Sequence, residues 1–283
     1  MELKNILEGL YATRSQTHLA NDPLSFCHRY QAPEDREVVG LIAACFAYGN
    51  VKIILKNLDR IFGTMGDSPR RFIERFEPAE GKRIFAGFKH RFNDARDLCA
   101  LLLACRIMLE EAGSVEGWML RFHDEVREDV TETLSGFAEA VKNLDLSPVF
   151  RRKSVPEDSY FPFFFPSPAS GSACKRMCMY LRWMVRPDDG IDLGLWKGIT
   201  AAKLVVPVDA HIQRICRFLR FTERKQADWR MACEITARLR QLDPSDPVKY
   251  DFSLCHLGIS EGCDGKDLSK CLQCPITDLC SKG

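Results

Sequence analysis

Three features of the sequence have side chains that could carry out chemistry. They are Lys175, Asp209 and four closely spaced cysteines near the C-terminus. Lys175 lies at the start of a predicted amphipathic helix, where the positive end of the helix macrodipole disfavours a further cation. The neutral amine that this position favours is a nucleophile, which forms Schiff bases with carbonyl carbons. Asp209 precedes a second predicted helix, so its carboxylate is expected to cap the first backbone amides and to be fixed in direction.

The cysteines have the spacing C-x7-C-x2-C-x5-C and are Cys263, Cys271, Cys274 and Cys280. The segment that contains them is polar and buries too little apolar surface to order itself, so covalent or coordinate bonds must hold it. Closely spaced thiolates are ligands for a tetrahedral zinc ion or an iron–sulfur cluster. Disulfides are the alternative, but the sequence shows no signal peptide and cytosolic thiols stay reduced.

This cysteine pattern is similar to that of endonuclease III and its relatives, the helix-hairpin-helix DNA glycosylases. Their C-x6-C-x2-C-x5-C loop binds a 4Fe–4S cluster, and the first gap is one residue longer in this chain. The sequences HLG at 256–258 and CPITDLC at 274–280 extend the similarity. The resemblance implies that the four cysteines hold a 4Fe–4S cluster.

Two further motifs resemble the same superfamily. The sequence GSACK at 171–175 resembles the G-x-G-x-K hairpin that presents a lysine nucleophile, with Ala173 in place of the second glycine. The sequence VDAH at 208–211, followed by Arg214, matches the element V-D-x-H-x-x-R, whose aspartate supports catalysis. In the family this aspartate follows the lysine more closely. The resemblance implies catalytic roles for Lys175 and Asp209. It also implies DNA contacts by Gly171, His211 and Arg214.

A third similarity concerns the apolar stretch 41–48, which resembles a buried helix of the glycosylases. The end of that helix carries a residue that fills the gap left by a flipped base. The matching corner here is Tyr48-Gly49-Asn50, which implies DNA contacts by Tyr48 and Asn50. An ordinary helix end is the alternative, because glycine and asparagine commonly close helices. The segments SACKR, LRWMVR and PVDAH also resemble a bacterial family related to these glycosylases.

Charge is unevenly distributed, although the net charge is only +1. The stretch 171–186 contains four basic residues and no acidic one, and the stretch 210–225 contains five basic residues and one acidic residue. Arg182 and Arg186 belong to the first stretch and are predicted on the exposed face of the helix that begins at Lys175. Two basic surfaces on a nearly neutral protein fit a DNA footprint. Solvated helix faces are the alternative.

The elements that must position these residues are predicted to be helices. Apolar stripes predict helices over 3–11, 34–48, 54–62, 98–109 and 130–144, with the second buried and the third ending at Gly63. Asp246-Pro247 predicts the start of the last helix, which should end near Gly258. Prolines exclude a long helix between 145 and 170, where the aromatic sequence FPFFFP either packs the core or lines a base-sized pocket. No apolar run approaches the roughly 20 residues of a membrane span, so a cytoplasmic protein is expected.

We therefore expect an all-α, two-lobe helical DNA glycosylase-like fold with a C-terminal iron–sulfur cluster loop. Residues 25–186 are expected to form a helical barrel domain with a hairpin-like element. Residues 1–24 and 187–283 are expected to form the cluster-bearing domain. The expected function is a monomeric DNA glycosylase with AP-lyase activity on double-stranded DNA containing a damaged base. A non-catalytic DNA-binding or partner-binding protein on the same scaffold is the alternative.

Overall fold

The computed structural model describes residues 2–13, 16–259 and 262–281, and these are mostly helical. Within these ranges the α-helices are α1 (Glu2–Thr13), α2 (Pro33–Phe46), α3 (Val51–Met65), α4 (Pro69–Glu74), α5 (Pro78–Ile84), α6 (Ala95–Ala112), α7 (Val115–Leu120), α8 (Thr131–Lys142), α9 (Ser147–Phe150), α10 (Lys175–Val185), α11 (Ala210–Phe218), α12 (Trp229–Leu242) and α13 (Asp251–Ile259). The expected all-α class is confirmed. No helix of the described ranges has the length and apolar character needed to cross a membrane.

A short antiparallel hairpin is the regular β-structure among the described residues. Its strands are β1 (Lys89–His90) and β2 (Asn93–Asp94), and His90 lies opposite Asn93. Strands of two residues are too short to leave an alternating pattern in the sequence. The hairpin packs against α3, where the Asn57 side chain donates a hydrogen bond to the Lys89 carbonyl oxygen at 3.1 Å.

Helix α2 forms the centre of the core because its sequence is apolar on nearly every side. Every residue from Glu37 to Phe46 is buried, as the sequence predicted for this helix. The helix packs against α10 and against a 3₁₀ segment, Pro23–Arg29. Gly40 permits the close approach of α10, since a β-carbon at this position would lie 2.6 Å from Met184 Cε.

The predicted end of α3 and the predicted start of α13 are wrong. Helix α3 continues through Gly63, which faces open space, and closes only at Gly66 with φ of 73°. Helix α13 begins at Asp251 and not at Pro247, because Asp246 does not cap a helix there. Instead Asp246 Oδ2 accepts a hydrogen bond from Arg186 Nε at 2.9 Å. The Asp246 carboxylate thus serves a tertiary contact in place of the predicted cap.

The C-terminal helices bring the start of α11 and the helix α13 together. Helix α11 packs along α13, and α1 also contacts α13. Gly258 of α13 lies directly under His211 of α11, and a β-carbon at Gly258 would collide with the imidazole ring. The start of α11 is therefore held against the C-terminal half of α13, and the N-terminus of α10 faces the start of α11.

Candidate active site

Lys175 and Asp209 meet in a cavity, although they belong to the N-terminal ends of different helices. Lys175 Nζ lies 3.8 Å from Asp209 Oδ2. The lysine side chain is 37% exposed and the aspartate side chain 17%, so a ligand in the cavity can reach the amine. The cavity has a volume of about 420 Å³, within the range of roughly 300–1,000 Å³ that ligand sites occupy.

The two carboxylate oxygens of Asp209 have different partners. Oδ1 accepts hydrogen bonds from the backbone N–H groups of His211 and Ile212, both at 2.8 Å, and so caps α11 as predicted. Oδ2 faces Lys175 and accepts a hydrogen bond from Cys255 Sγ at 3.4 Å. Burial raises the pKa of the Cys255 thiol well above its usual value, and the Asp209 charge adds to the effect. Cys255 therefore stays protonated as a donor.

Lys175 is the first residue of α10, as the sequence predicted. The preceding residue, Cys174, has left-handed backbone angles of φ 48° and ψ 27° and provides no side-chain cap. Its thiol donates to the Ser172 carbonyl oxygen at 3.2 Å, and burial raises its pKa to about 12. The uncommon conformation at Cys174 turns the chain sharply into α10, so that the lysine leaves the helix end towards the cavity.

Two carboxyl groups that the sequence did not single out also line this cavity. Asp22 caps the Pro23–Arg29 segment through the Leu24 amide at 2.8 Å, and burial raises the Asp22 pKa while Arg182 and Lys175 act in the opposite direction. Burial raises the pKa of Asp251 to about 6, although an ion pair with Arg182 opposes this. The dipeptide Asp22-Pro23 is a helix-start signal that marks the first of these. No local pattern marks Asp251.

Arg182 and Arg186 do not form the predicted DNA-binding surface, because both side chains are 4% exposed. Arg182 donates to Asp192 Oδ1 at 3.1 Å and pairs with Asp251. Arg186 pairs with Asp192 and donates to Asp246 at 2.9 Å. Both positive charges are neutralised inside the protein and cannot contact phosphates, so this prediction is wrong.

The corner Tyr48–Asn50 connects α2 to α3, and its two ends have different surroundings. Tyr48 lines the cavity, and its hydroxyl donates to the His90 carbonyl oxygen at 3.0 Å. Asn50 is exposed and caps α3, with its side-chain oxygen accepting from the Lys52 amide at 3.0 Å. Because α2 already ends at Phe46, the corner does not close that helix. Tyr48 therefore belongs to the cavity wall, whereas Asn50 starts a helix.

The predicted hairpin at Gly171 is not formed between two helices. The preceding element is the three-residue 3₁₀ turn Pro168–Ser170, and the Gly171 amide donates to the Pro168 carbonyl oxygen at 2.8 Å. This amide is thus unavailable to a phosphate, and Gly171 is not an anchoring position. His211 lines the cavity, with Nδ1 3.1 Å from Arg214 Nη2. Arg214 Nε is buried and has no hydrogen-bond partner in the part of the chain that is described.

The four C-terminal cysteines lie near one another as free thiols. Cys263, Cys271 and Cys274 line one small cavity of about 30 Å³. Burial raises the pKa of Cys274, and the charges of Cys263, Cys271 and Cys280 add to this. Across the described ranges, no set of three or more His, Cys, Asp or Glu side chains is arranged to hold a metal ion. The cysteines fit a thiolate-ligated metal or cluster in donor type and in proximity, and their side chains would have to converge further to bind it.

Comparisons with known proteins identify the family of this chain but no reaction. No curated protein matches the chain, and no solved structure does. A family model matches residues 22–260, a range that includes Lys175, Asp209 and Asp22 but not the four C-terminal cysteines. The predicted membership of the helix-hairpin-helix DNA glycosylase superfamily is wrong, because the matching family is a different one. The chain belongs to the family described as protein of unknown function, DUF2400.

Proposed function

We propose that this protein removes a damaged base from DNA, with Lys175 as the nucleophile and Asp209 as its proton acceptor. The observation that carries the proposal is the 3.8 Å distance from Lys175 Nζ to Asp209 Oδ2 within a cavity of ligand size. A lysine amine next to a fixed carboxylate can lose its proton and attack an electrophilic carbon. A sugar carbon that carries a leaving base is such an electrophile.

The proposed reaction begins when Asp209 Oδ2 takes a proton from the Lys175 ammonium group. The nitrogen lone pair then forms a bond to the anomeric carbon C1′, while the glycosidic bond breaks and the base leaves with its electron pair and collects a proton. Opening of the sugar ring breaks the C1′–O4′ bond and gives a Schiff base. Loss of a C2′ proton then expels the 3′ phosphate by β-elimination, and water releases the amine. The carboxylate stabilises positive charge at each stage.

The surroundings of Asp209 support this assignment. Oδ1 is held by two backbone amides, so the carboxylate cannot turn away from the amine when it gains or loses a proton. Oδ2 receives a weak hydrogen bond from the Cys255 thiol in addition to its contact with Lys175. Cys255 does not touch the substrate in this reaction, and we assign it as a positioning residue for Asp209.

The test is borohydride trapping on a panel of duplexes that each carry one damaged base or one abasic site. We expect a covalent protein–DNA product with wild-type protein. Lys175→Gln should lose that product and lower turnover by about a thousandfold or more, as removal of a nucleophile does elsewhere. Asp209→Asn should keep the helix cap and lose about a hundredfold or more in turnover.

Lys203→Gln is the matched control, because Lys203 Nζ lies outside the cavity and donates to the carbonyl oxygens of Glu125 and Arg127, both at 2.5 Å. This variant should give as much trapped product as wild type. Trapping that survives in Lys175→Gln would move the nucleophile to another amine. No trapping and no base release on any duplex would leave a DNA-binding protein without this chemistry and would overturn the proposal.

We also propose that Cys263, Cys271, Cys274 and Cys280 hold a 4Fe–4S cluster. Four soft thiolates suit iron. The polar segment that contains them is poor in buried apolar side chains, so it needs bonds to a metal or cluster to order it. The cluster would supply a rigid connection between these cysteines, away from the Lys175 amine, and no step of the proposed reaction passes through it.

Protein purified without oxygen should be brown and contain roughly four irons per chain, as this cluster type requires. Cys274→Ser should remove the iron and the colour. Cys255→Ser is the matched control and should leave both unchanged, because Cys255 faces Asp209 and not the other cysteines. Colourless protein with one zinc per chain would replace the cluster with a structural zinc site.

A further inference from the structure

Three aromatic side chains form an exposed strip beside the cavity. Phe92 and Tyr160 are each 46% exposed and Phe163 is 41% exposed. The Phe92 and Tyr160 rings stack with centroids 5.2 Å apart, and the Phe163 ring lies edge-on to Phe92 at 6.2 Å. Tyr48 continues the strip into the cavity wall, with its ring centroid 5.0 Å from that of Phe163. We call these four residues the aromatic strip.

Buried hydrogen bonds hold the aromatic strip in place. The Asn93 side chain donates to the Tyr160 carbonyl oxygen at 3.0 Å, and its Oδ1 shares the single O–H donor of Tyr48 with the His90 carbonyl oxygen, so one amide links both ends. The Arg176 guanidinium lies 4.3 Å from the Phe163 ring centroid and 5.1 Å from that of Tyr48. Exposed rings held by a buried network lose little entropy when a ligand stacks on them.

The charge around the strip is positive. Lys89 and Arg91 belong to the same hairpin as Phe92, and the Arg91 guanidinium lies 5.4 Å from the Phe92 ring centroid. Lys52 is the second residue of α3, the helix that follows Tyr48. None of these three side chains forms an ion pair among the residues described. The neighbouring Asp94 and Asp158 are instead both paired with Arg96.

We propose that the aromatic strip binds unpaired nucleotides of single-stranded DNA, next to the nucleotide whose sugar enters the cavity. Flat exposed rings provide stacking surfaces for successive bases, and unpaired lysine and arginine side chains provide contacts for the phosphates between them. Tyr48 joins the strip to the cavity of Lys175, so a strand stacked on the strip leads to the amine. This inference rests on the proposed function in taking DNA as the ligand.

The test measures binding of a labelled oligo-dT of about 12 nucleotides, a length that covers one stacking site. Phe92→Leu and Tyr160→Leu keep apolar volume and remove the flat ring. Each should weaken binding about tenfold, the effect of losing one base–aromatic stack. Lys89→Ala and Arg91→Ala should each reduce the slope of log affinity against log salt by about 0.7. Val126→Ala is the control, since Val126 is 90% exposed and lies outside the strip, and it should bind as wild type does.

The variant Phe92→Trp reports directly on contact between the aromatic strip and the oligonucleotide. The four native tryptophans are at most 8% exposed, so a new tryptophan at this position supplies the accessible emission. Oligo-dT should quench it, and affinity should equal or exceed that of wild type because a larger ring stacks at least as well. Unchanged affinity in both leucine variants with no quenching would overturn the inference.

The outcomes separate this inference from the proposed function. Trapping on Lys175 together with unaltered oligo-dT binding in the leucine variants would reject the strip and keep the reaction. Weakened oligo-dT binding without trapping on any duplex would reject the reaction and keep the strip. Equal binding of oligo-rU and oligo-dT would extend the ligand to RNA. Binding of a protein partner through the strip, with no affinity for either oligonucleotide, would contradict the inference.

Discussion

Helix α10 carries cations in two contrasting environments. At its first residue, Lys175 is 37% exposed and faces a single carboxylate at 3.8 Å. In its last turn and just beyond, Arg182 and Arg186 are buried, and each touches two or more carboxylates. The sequence placed all three side chains on one polar face. The number of partners and the degree of burial separate them into one accessible group, Lys175, and two buried structural ones.

The role of a basic residue on an amphipathic helix follows from its burial and from the number of its ion-pair partners. A guanidinium with several short ion pairs has a structural role, because moving it would leave buried carboxylates without a counter-charge. An amine with one long contact and an open side keeps its freedom to lose a proton and to bond to a substrate carbon. The contrast leads to four predictions.

The largest expected effect is on stability. Arg182→Ala should lower the free energy of unfolding by about 3–5 kcal/mol, because buried Asp251 would lose its ion-pair partner and Asp192 would keep only Arg186. Lys175→Ala should lower it by less than about 1 kcal/mol, since a partly exposed ion pair contributes little. Urea unfolding of both variants measures the two values. Equal losses would remove the distinction between the two environments.

The second prediction concerns pH. Burial raises the Asp251 pKa from 3.8 to about 6, so the folded state binds this proton more tightly than the unfolded state. This contribution is fully present below about pH 4 and is lost as pH rises through 6. Asp251→Asn cannot titrate and should lack that loss, at about 1.4 kcal/mol for each unit of pKa difference. Unfolding measured between pH 4 and 7 should therefore show wild type losing stability relative to the variant. Parallel pH curves would contradict the assignment.

A third prediction separates the two oxygens of Asp209. Asp209→Ala removes the cap of α11 and should lower the free energy of unfolding by about 1 kcal/mol. Asp209→Asn keeps an oxygen at the cap and should unfold close to wild type. Thermal or urea unfolding distinguishes them. If Asp209→Asn is destabilised as much as Asp209→Ala, the charge holds the helix end and the division between the oxygens is incorrect.

The smallest expected effect is that of Cys255→Ala. Loss of a weak thiol hydrogen bond to Asp209 Oδ2 should lower kcat about two- to fivefold and leave KM unchanged. In an Asp209→Asn background the same substitution should have no further effect, since Cys255 acts only through that carboxylate. Cys233→Ala is the control, because this half-buried cysteine of α12 lies outside the cavity. An additive loss in the double variant would contradict the positioning role.

The sequence predicted local features of the fold and site well. The apolar stripe of α2 predicted a buried helix, and the positions of Lys175 and Asp209 at helix starts are confirmed, because these follow from residues close in the chain. The aromatic sequence FPFFFP before Gly171 mainly packs the core, which was one of its two predicted roles. Phe161, Phe164 and Phe165 are buried in the core, whereas Phe163 is exposed.

Features that depend on partners distant in the chain were missed. Helical periodicity placed Arg182 and Arg186 on a polar face, but it cannot show that Asp192, Asp246 and Asp251 cover that face. The residues around Cys255 in the sequence predicted that it lies in the core. Only the packing of α13 on α11 shows that its thiol faces Asp209. The cluster ligands, the division into two domains and the reaction itself remain predictions from the sequence.

Asp209 also makes the pairing of Lys175 depend on correct assembly of the chain. Its Oδ1 bonds exist only when α11 has formed, and only then does Oδ2 point at Lys175. A nascent or partly unfolded chain therefore has the Lys175 side chain without its carboxylate partner. The candidate site is thus completed only on folding, since the carboxylate that caps α11 is also the one that faces Lys175.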